Sequence, residues 1–406
     1  MDVFLRRKLC RGRSVALAYI RFASRSSKKG DQAAEEKVTF GKVGNSLKCG
    51  VVGVPNVGKS SFFNLVTNGK AKAENYPFCT IDPNDGRVAV PDARLDKLCE
   101  MYKPQKRTPS YLHVTDIAGL VKGAHEGKGL GNAFLNHISA VDGIYHLCRG
   151  FDSIDVSHVE GTVDPVRDLE IIAQELRLKD LEYLETRLPG LKMKIKKDAV
   201  AKTEYDTLLK AHSFLENGTA DVRNGEWSEA EVRALNPHFL LTAKPAIYIL
   251  NVSKDEYVAG EYKYLSAVEE YVGRRDSGRP LVIPFSVQYE QEVLDGVEEA
   301  LAESAVPAAV RAGFRCLNLI SFFTVGADEV RAWPVHMHCK AAQAAGRIHT
   351  DFEKTFILAE VCSYDDVIQH GDEAAVKAAG KQRRQGKEYK VADGDVMHFK
   401  CGSRKK

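Results

Sequence analysis

Residues 53 to 60 read Gly53-Val54-Pro55-Asn56-Val57-Gly58-Lys59-Ser60, a complete Walker A loop, and Ser61 follows. An apolar run, Leu47 to Val52, precedes it, and Phe62, Phe63, Leu65 and Val66 follow at helical spacing. Strand, loop and helix in that order are what the motif requires. Gly53 and Gly58 let the backbone curl so that successive N–H groups face one phosphate, with the helix dipole adding a favourable field. The expected cradle is Pro55, Asn56, Val57, Gly58, Lys59, Ser60 and Ser61. Lys59 can reach the β- and γ-phosphates, and the Ser60 hydroxyl can ligate Mg²⁺. The Asn56 side-chain oxygen either helps coordinate a monovalent cation such as K⁺ or stabilises the turn.

A second strand is expected over Tyr111 to Asp116, ending in an acid and followed by Ile117-Ala118-Gly119. Asp-x-x-Gly at a strand end places a carboxylate near Mg²⁺ and a glycine N–H near the γ-phosphate. Asp116 is therefore a metal-ligand candidate and Gly119 a catalytic one, beside Lys59. Between the two motifs lies Asn75 to Pro83, a loop by its prolines, in which Thr80 is the natural residue to close over Mg²⁺. Residues 119 to 131 hold five glycines, a segment that needs a ligand to order it. Leu120 stands where a Ras-like enzyme carries the glutamine that orients water. Its side chain can neither donate nor accept a hydrogen bond.

Base recognition is expected further on. The apolar run Pro245 to Leu250 ends at Asn251, followed by Val252, Ser253 and Lys254. A GTPase keeps a carboxylate at the position of Lys254 to accept from the guanine N1 and N2 donors. Here a cation replaces it, which penalises guanine and costs adenine nothing. Asn251 and Val252 are expected at the base. Leu281 to Phe285 reads as a fourth strand, ending at Ser286, which either reaches the base from the other side or is a simple turn residue.

Together these segments resemble the YchF subfamily of Obg-like ATPases. The resemblance rests on Gly53 to Ser60, Asn75 to Pro83, Asp116 to Ala124, Gly129 to Phe134 and Gln343 to Lys354, and it runs from about residue 40 to about residue 400. It implies an α/β fold: a P-loop G domain with a mostly parallel sheet, an inserted α-helical coiled-coil arm and a C-terminal β-grasp (TGS) domain. It also implies Mg²⁺-dependent hydrolysis of ATP rather than GTP, and association with ribosomal subunits and rRNA. The family's apolar replacement of the catalytic glutamine matches Leu120. A family histidine that assists hydrolysis from a mobile loop falls on His158. Lys254 departs from the pattern, since the family usually carries Glu there.

The implied boundaries are a transit peptide over 1–30, a linker over 31–45, the G domain over 46–163 and 236–316, the helical insertion over 164–235, and the TGS domain over 317–401. Over 164–235, Leu169, Ile172, Leu176, Leu181 and Leu184 recur at helical spacing, predicting two long helices broken near Leu188-Pro189-Gly190. The basic run Lys192 to Lys197 at that bend is a solvated face or a phosphate contact.

Charge is unevenly spread. Nine of the 58 basic residues and one of the 55 acids lie in residues 1–30, so the remainder is acidic on balance. That argues against electrostatic capture of nucleic acid over its whole surface. The first 30 residues are Arg-rich, acid-poor and amphipathic, the composition of an organellar transit peptide, mitochondrial or alternatively plastid. A plain basic tail would leave the protein cytoplasmic. No apolar stretch approaches a membrane span, and neither a membrane nor a DNA partner is expected. The nine cysteines form no C-x-x-C pair, and His336-Met337-His338-Cys339 lacks a second ligand cluster for a metal.

Three functions fit the residues. The first is an ATPase whose nucleotide state controls a ribosomal partner surface. The second is a nucleotide-gated RNA- or protein-binding module with little hydrolysis, which Leu120 favours. The third, a small-molecule kinase, needs an acceptor pocket and base of which the sequence shows no trace.

Overall fold

Apolar runs without alternation become strands buried on both faces, the pattern of a parallel sheet covered by helices. The computed structural model describes residues 40–41, 47–68, 84–117, 119, 137–152, 161–195, 199–218, 220–275, 281–297 and 301–402. Its first strands are β1 (Lys48–Val52), β2 (Asp85–Ala89), β3 (Lys106–Thr108), β4 (Tyr111–Asp116), β5 (Gly143–Arg149), β6 (Ala246–Asn251) and β7 (Val282–Phe285). All except β3 join one sheet in the order β2-β4-β1-β5-β6-β7. Pairing is parallel from β1 to β5, β5 to β6 and β6 to β7, with Val52 opposite His146 and Arg149 opposite Asn251. The carboxyl ends of these four strands therefore share one edge, where an α/β sheet binds its ligand. β5 is buried along its whole length.

The helical insertion forms as the leucine spacing predicts. Helices Pro165–Lys192 and Ala199–Glu216 pack through Leu184, Leu191, Leu208, Ala211 and Leu215. Asp164 caps the first helix by accepting from the Arg167 N–H at 3.1 Å. The expected break at Pro189 does not occur, and the helix continues through Pro189 and Gly190 to Lys192. Proline here forfeits one hydrogen bond in the last turn, and burial of Leu184 and Leu191 against the second helix offsets that loss.

Where the insertion returns to the sheet, Asp180 and Asp221 are both buried. Asp180 accepts from the N–H groups of Leu241 and Thr242 at 2.8 Å. Asp221 pairs with Arg223, and with Arg275 at 3.0 Å. Beside them His146 is held neutral, its pKa pushed down to about 3 by burial and then by the Arg223 charge.

The second unit contains β8 (Leu319–Thr324), β9 (Glu329–His336), β10 (Phe356–Ser363), β11 (Arg383–Gln385) and β12 (Asp395–Cys401). With β3 they form a sheet in the order β11-β10-β12-β8-β9-β3. β8 and β9 are antiparallel, helix Ala341–Ile348 follows, and β12 returns parallel to β8, which is a β-grasp arrangement. Ala341 and Ala344 pack with Phe322, Trp333, Val361 and Met397.

One boundary differs from the expected one. The chain divides into a unit built mainly from Lys48–Gly86 and Val114–Ala309 and another mainly from Arg87–His113 and Val310–Lys406. Helix Ala93–Tyr102 and β3, assigned by sequence to the first part of the G domain, thus group with the C-terminal unit. β3 pairs in parallel with β9, Lys106 opposite Glu329. Leu95 and Leu98 of helix Ala93–Tyr102 pack against Phe323, Val330 and Val367. Arg94 spans Asp92 at 2.8 Å and Asp393 at 2.9 Å.

Candidate nucleotide site

The glycine-rich loop follows β1 and leads into helix Lys59–Asn68. Phe62, Leu65 and Val66 anchor that helix in the core, with Phe62 edge-on to Tyr145 at 5.5 Å and to Phe285 at 5.0 Å. Two glycines are required by geometry. A Cβ on Gly53 would lie 2.5 Å from the Leu147 carbonyl oxygen. Gly58 has φ +95°, and a Cβ there would lie 2.7 Å from Asn251 Nδ2. Asn56 takes the left-handed conformation, φ 63°, which asparagine tolerates better than most residues.

A cleft of about 720 Å³ opens at the carboxyl edge of the sheet. Pro55, Asn56, Gly58, Lys59, Ser60, Ser61, Asp116, Gly119, Asn251 and Val252 all line it. Lys59 is 8% exposed, and its Nζ donates to the Val54 carbonyl at 2.9 Å. Burial lowers its pKa to about 8, against the opposing attraction of Asp116. A Cβ on Gly119 would stand 2.9 Å from Lys59 Nζ, so glycine keeps the ammonium accessible.

The Mg²⁺ candidates can be tested on Asp116. Its Oδ1 is buried and has no hydrogen-bond partner among the described residues. Such an orphan oxygen is costly unless a cation or its water fills the place. Ser60 lines the same cleft. A hard, oxygen-ligated cation fits this donor set. Thr80 and His158, and Leu120 with them, lie outside the described residues.

Three expectations change. Val57 is not among the residues lining the cleft: its side chain is fully buried, and its carbonyl accepts from Asn251 Nδ2. Ser286 is also fully buried, and its hydroxyl caps helix Val287–Leu294 by accepting from the Tyr289 N–H. That cap fits the turn-residue reading of Ser286. Lys254 begins helix Lys254–Ala259 and is not among the lining residues. Its Nζ lies 2.6 Å from Glu292 Oε2, so the ammonium is engaged within the fold rather than directed into the cleft.

Asn251 lines the cleft, but both ends of its amide are engaged. Nδ2 donates to the Val57 carbonyl at 2.9 Å, and Oδ1 accepts from the Val287 N–H at 3.2 Å.

Motif reading missed Phe151, Asp152, Val287 and Gln288, which with Ile117 and Ser253 complete the lining. Phe151 is held by buried Arg149, whose Nε donates to its carbonyl at 3.0 Å and whose guanidinium stacks on its ring at 4.5 Å. The general rule that ligands sit beyond the carboxyl ends of parallel strands points to Phe151 after β5 and Val287 after β7.

Comparison with known proteins agrees with this geometry. Residues 48–184 match the MMR_HSR1 family model, described as a 50S ribosome-binding GTPase. Residues 319–402 match YchF-GTPase_C, described as a protein of unknown function. The Obg-like ATPase 1 of Rattus norvegicus is 50% identical over 384 residues, covering 92% of this chain and 97% of that protein. The Obg-like ATPase 1 of Oryza sativa subsp. japonica is 47% identical over 386 residues, covering 93% and 97%. The solved Schizosaccharomyces pombe YchF GTPase superposes with a TM-score of 0.82 at 44% identity, covering 90% of this chain and all of that one. The names of these relatives divide between ATPase and GTPase.

Proposed function

The chain belongs to the YchF subfamily of Obg-like ATPases, and on that premise we propose that it hydrolyses ATP to ADP and phosphate in a Mg²⁺-dependent reaction that regulates translation through the ribosome. The observation that carries the reading is the convergence, at one end of one cleft, of the Lys59 ammonium, the unpartnered Asp116 oxygen and the bare Cα of Gly119. Water attacks the γ-phosphorus in line, the bond to the β–γ bridging oxygen breaks, and Lys59 carries part of the developing charge. Ser60, Asp116 and, by sequence, Thr80 would hold Mg²⁺, which when bound neutralises phosphate oxygens. Asn56 would be the side chain beside any K⁺. His158 would assist hydrolysis from its loop, in place of the side chain that Leu120 lacks.

ATP is favoured over GTP because the position of the guanine-reading acid is Lys254, already paired with Glu292. A nucleotide-gated binding module with slow turnover is the second reading, and Leu120 favours it. Phosphate release measured with and without ribosomes, without added acceptor, separates the two. Release from ATP that ribosomes accelerate supports the first. Tight ATP binding with no release in either condition supports the second.

Residues 1–30, which lie outside the described residues, would by composition direct the chain to mitochondria. A fluorescent reporter carrying them should co-localise with mitochondria, and a uniformly cytosolic signal would contradict that assignment.

A further inference from the structure

The base end of the cleft carries a polar side chain that no phosphate or metal role explains. Gln288, at the second residue of helix Val287–Leu294, lines the cleft beside Val252, Ser253 and Val287. Its Nε2 donates to Glu292 Oε1 at 2.9 Å, one turn along the same helix. The other carboxylate oxygen of Glu292 accepts from Lys254 Nζ at 2.6 Å. The three residues form one chain, Lys254–Glu292–Gln288.

Chemistry fixes the direction of this chain. An ionised carboxylate accepts and cannot donate, so Gln288 must turn its NH₂ group to Glu292. The Lys254 ammonium beside Glu292 keeps that carboxylate charged. The amide end left over is the carbonyl Oε1, an acceptor. Asn251 offers no equivalent freedom, since its Oδ1 is taken by the Val287 N–H.

We propose that Gln288 Oε1, oriented by Glu292 and Lys254, reads position 6 of the purine, accepting from the amino group of adenine and opposing the oxo group of hypoxanthine or guanine. This rests on the ATP reading above and names the residue that supplies its selectivity. A 6-oxo base sets acceptor against acceptor at this point, and an unmade neutral hydrogen bond of this kind corresponds to roughly 3- to 10-fold in affinity. Asp152, another acceptor lining the cleft, is 75% exposed and lies 3.6 Å from Lys263, and since Gln288 is exposed as well, variants of each must tell the two apart.

Calorimetric titration with ADP, IDP and GDP, none of which is hydrolysed, tests the proposal on the full chain. IDP differs from ADP at position 6 without adding a 2-amino group. Wild-type protein should bind ADP roughly 3- to 10-fold more tightly than IDP. Gln288→Leu should bring the two within about twofold, whereas Asp152→Asn should leave the ratio in place. The exchange Lys254→Glu with Glu292→Lys is the sharper variant. A donor then stands at position 292, so the amide of Gln288 turns its carbonyl to it and its NH₂ to the base. The preference should shift toward IDP. An ADP:IDP ratio unchanged in both Gln288→Leu and the exchange, or one abolished by Asp152→Asn alone, overturns the assignment of Gln288. A wild type that prefers GDP to ADP overturns the ATP reading along with it.

Discussion

Asn251, at the end of β6, donates from Nδ2 to the carbonyl oxygen of Val57 in the phosphate loop at 2.9 Å. The same amide accepts from the Val287 N–H at 3.2 Å, so one side chain 3% exposed ties the phosphate loop to the start of a base-side helix. Asn251→Ala would leave both backbone groups without this partner. It should destabilise the fold by roughly 1–3 kcal/mol and weaken ADP and GDP binding by similar factors. Denaturant unfolding with parallel titrations checks this. A selective loss for one base would mean that Asn251 reads the base rather than the loop.

Gly119 and Lys59 are constrained together. A Cβ on Gly119 would meet Lys59 Nζ at 2.9 Å and the Pro55 ring at 3.2 Å. Gly119→Ala should therefore slow phosphate release by roughly 10- to 100-fold through displacement of the ammonium, with the melting temperature little changed. Unaltered turnover would remove Gly119 from the catalytic set.

Lys59 also sets a pH dependence. Its pKa in the folded chain is about 8, below the ordinary 10.5, because burial disfavours the ammonium. The nucleotide-free fold thus carries the full cost of that charge below pH 8. Between pH 8 and 10.5 the folded chain releases the proton first, so this residue's contribution to stability rises with pH there. Nucleotide binding runs the other way, weakening by up to about tenfold per unit above pH 8 as the counter-charge is lost. Lys59→Met should stabilise the nucleotide-free protein at pH 7, by on the order of 1 kcal/mol, while abolishing tight binding. A variant less stable than wild type at pH 7 would show that the Val54 contact outweighs desolvation.

Asp221 sits between Arg223 and Arg275, all three nearly buried. Asp221→Asn leaves two guanidinium groups without their counter-charge and should cost about 3–5 kcal/mol of stability. The ADP:GDP affinity ratio, read on the surviving folded fraction, should not move. A shift below about 1 kcal/mol would mean that solvent reaches the cluster.

The phosphate end of the site was legible because its chemistry is contiguous: loop, Lys59 and Ser60 follow one another, and Asp116 closes a recognisable strand. The base end was less so. Glu292, which neutralises Lys254, is 38 residues away in sequence, and no local pattern announces the pair. Gln288 and Phe151 carry no motif and gain meaning from the strand ends that present them. β3 is short and mostly exposed, and the Thr108 hydroxyl finds its acceptor, Glu329, 221 residues on. A strand of that kind has no signature until its partner is in place. Pro189 shows the opposite error, where a strong local signal yielded to the packing of Leu184 and Leu191.

Competition between ATP and GTP for the wild-type protein in Mg²⁺ reads the preference of this cleft for adenine nucleotides. The missing guanine acceptor at position 254 predicts that ATP binds at least about tenfold more tightly, a difference of roughly 1.4 kcal/mol. Equal affinities, or a preference for GTP, would show that the cleft does not select adenine.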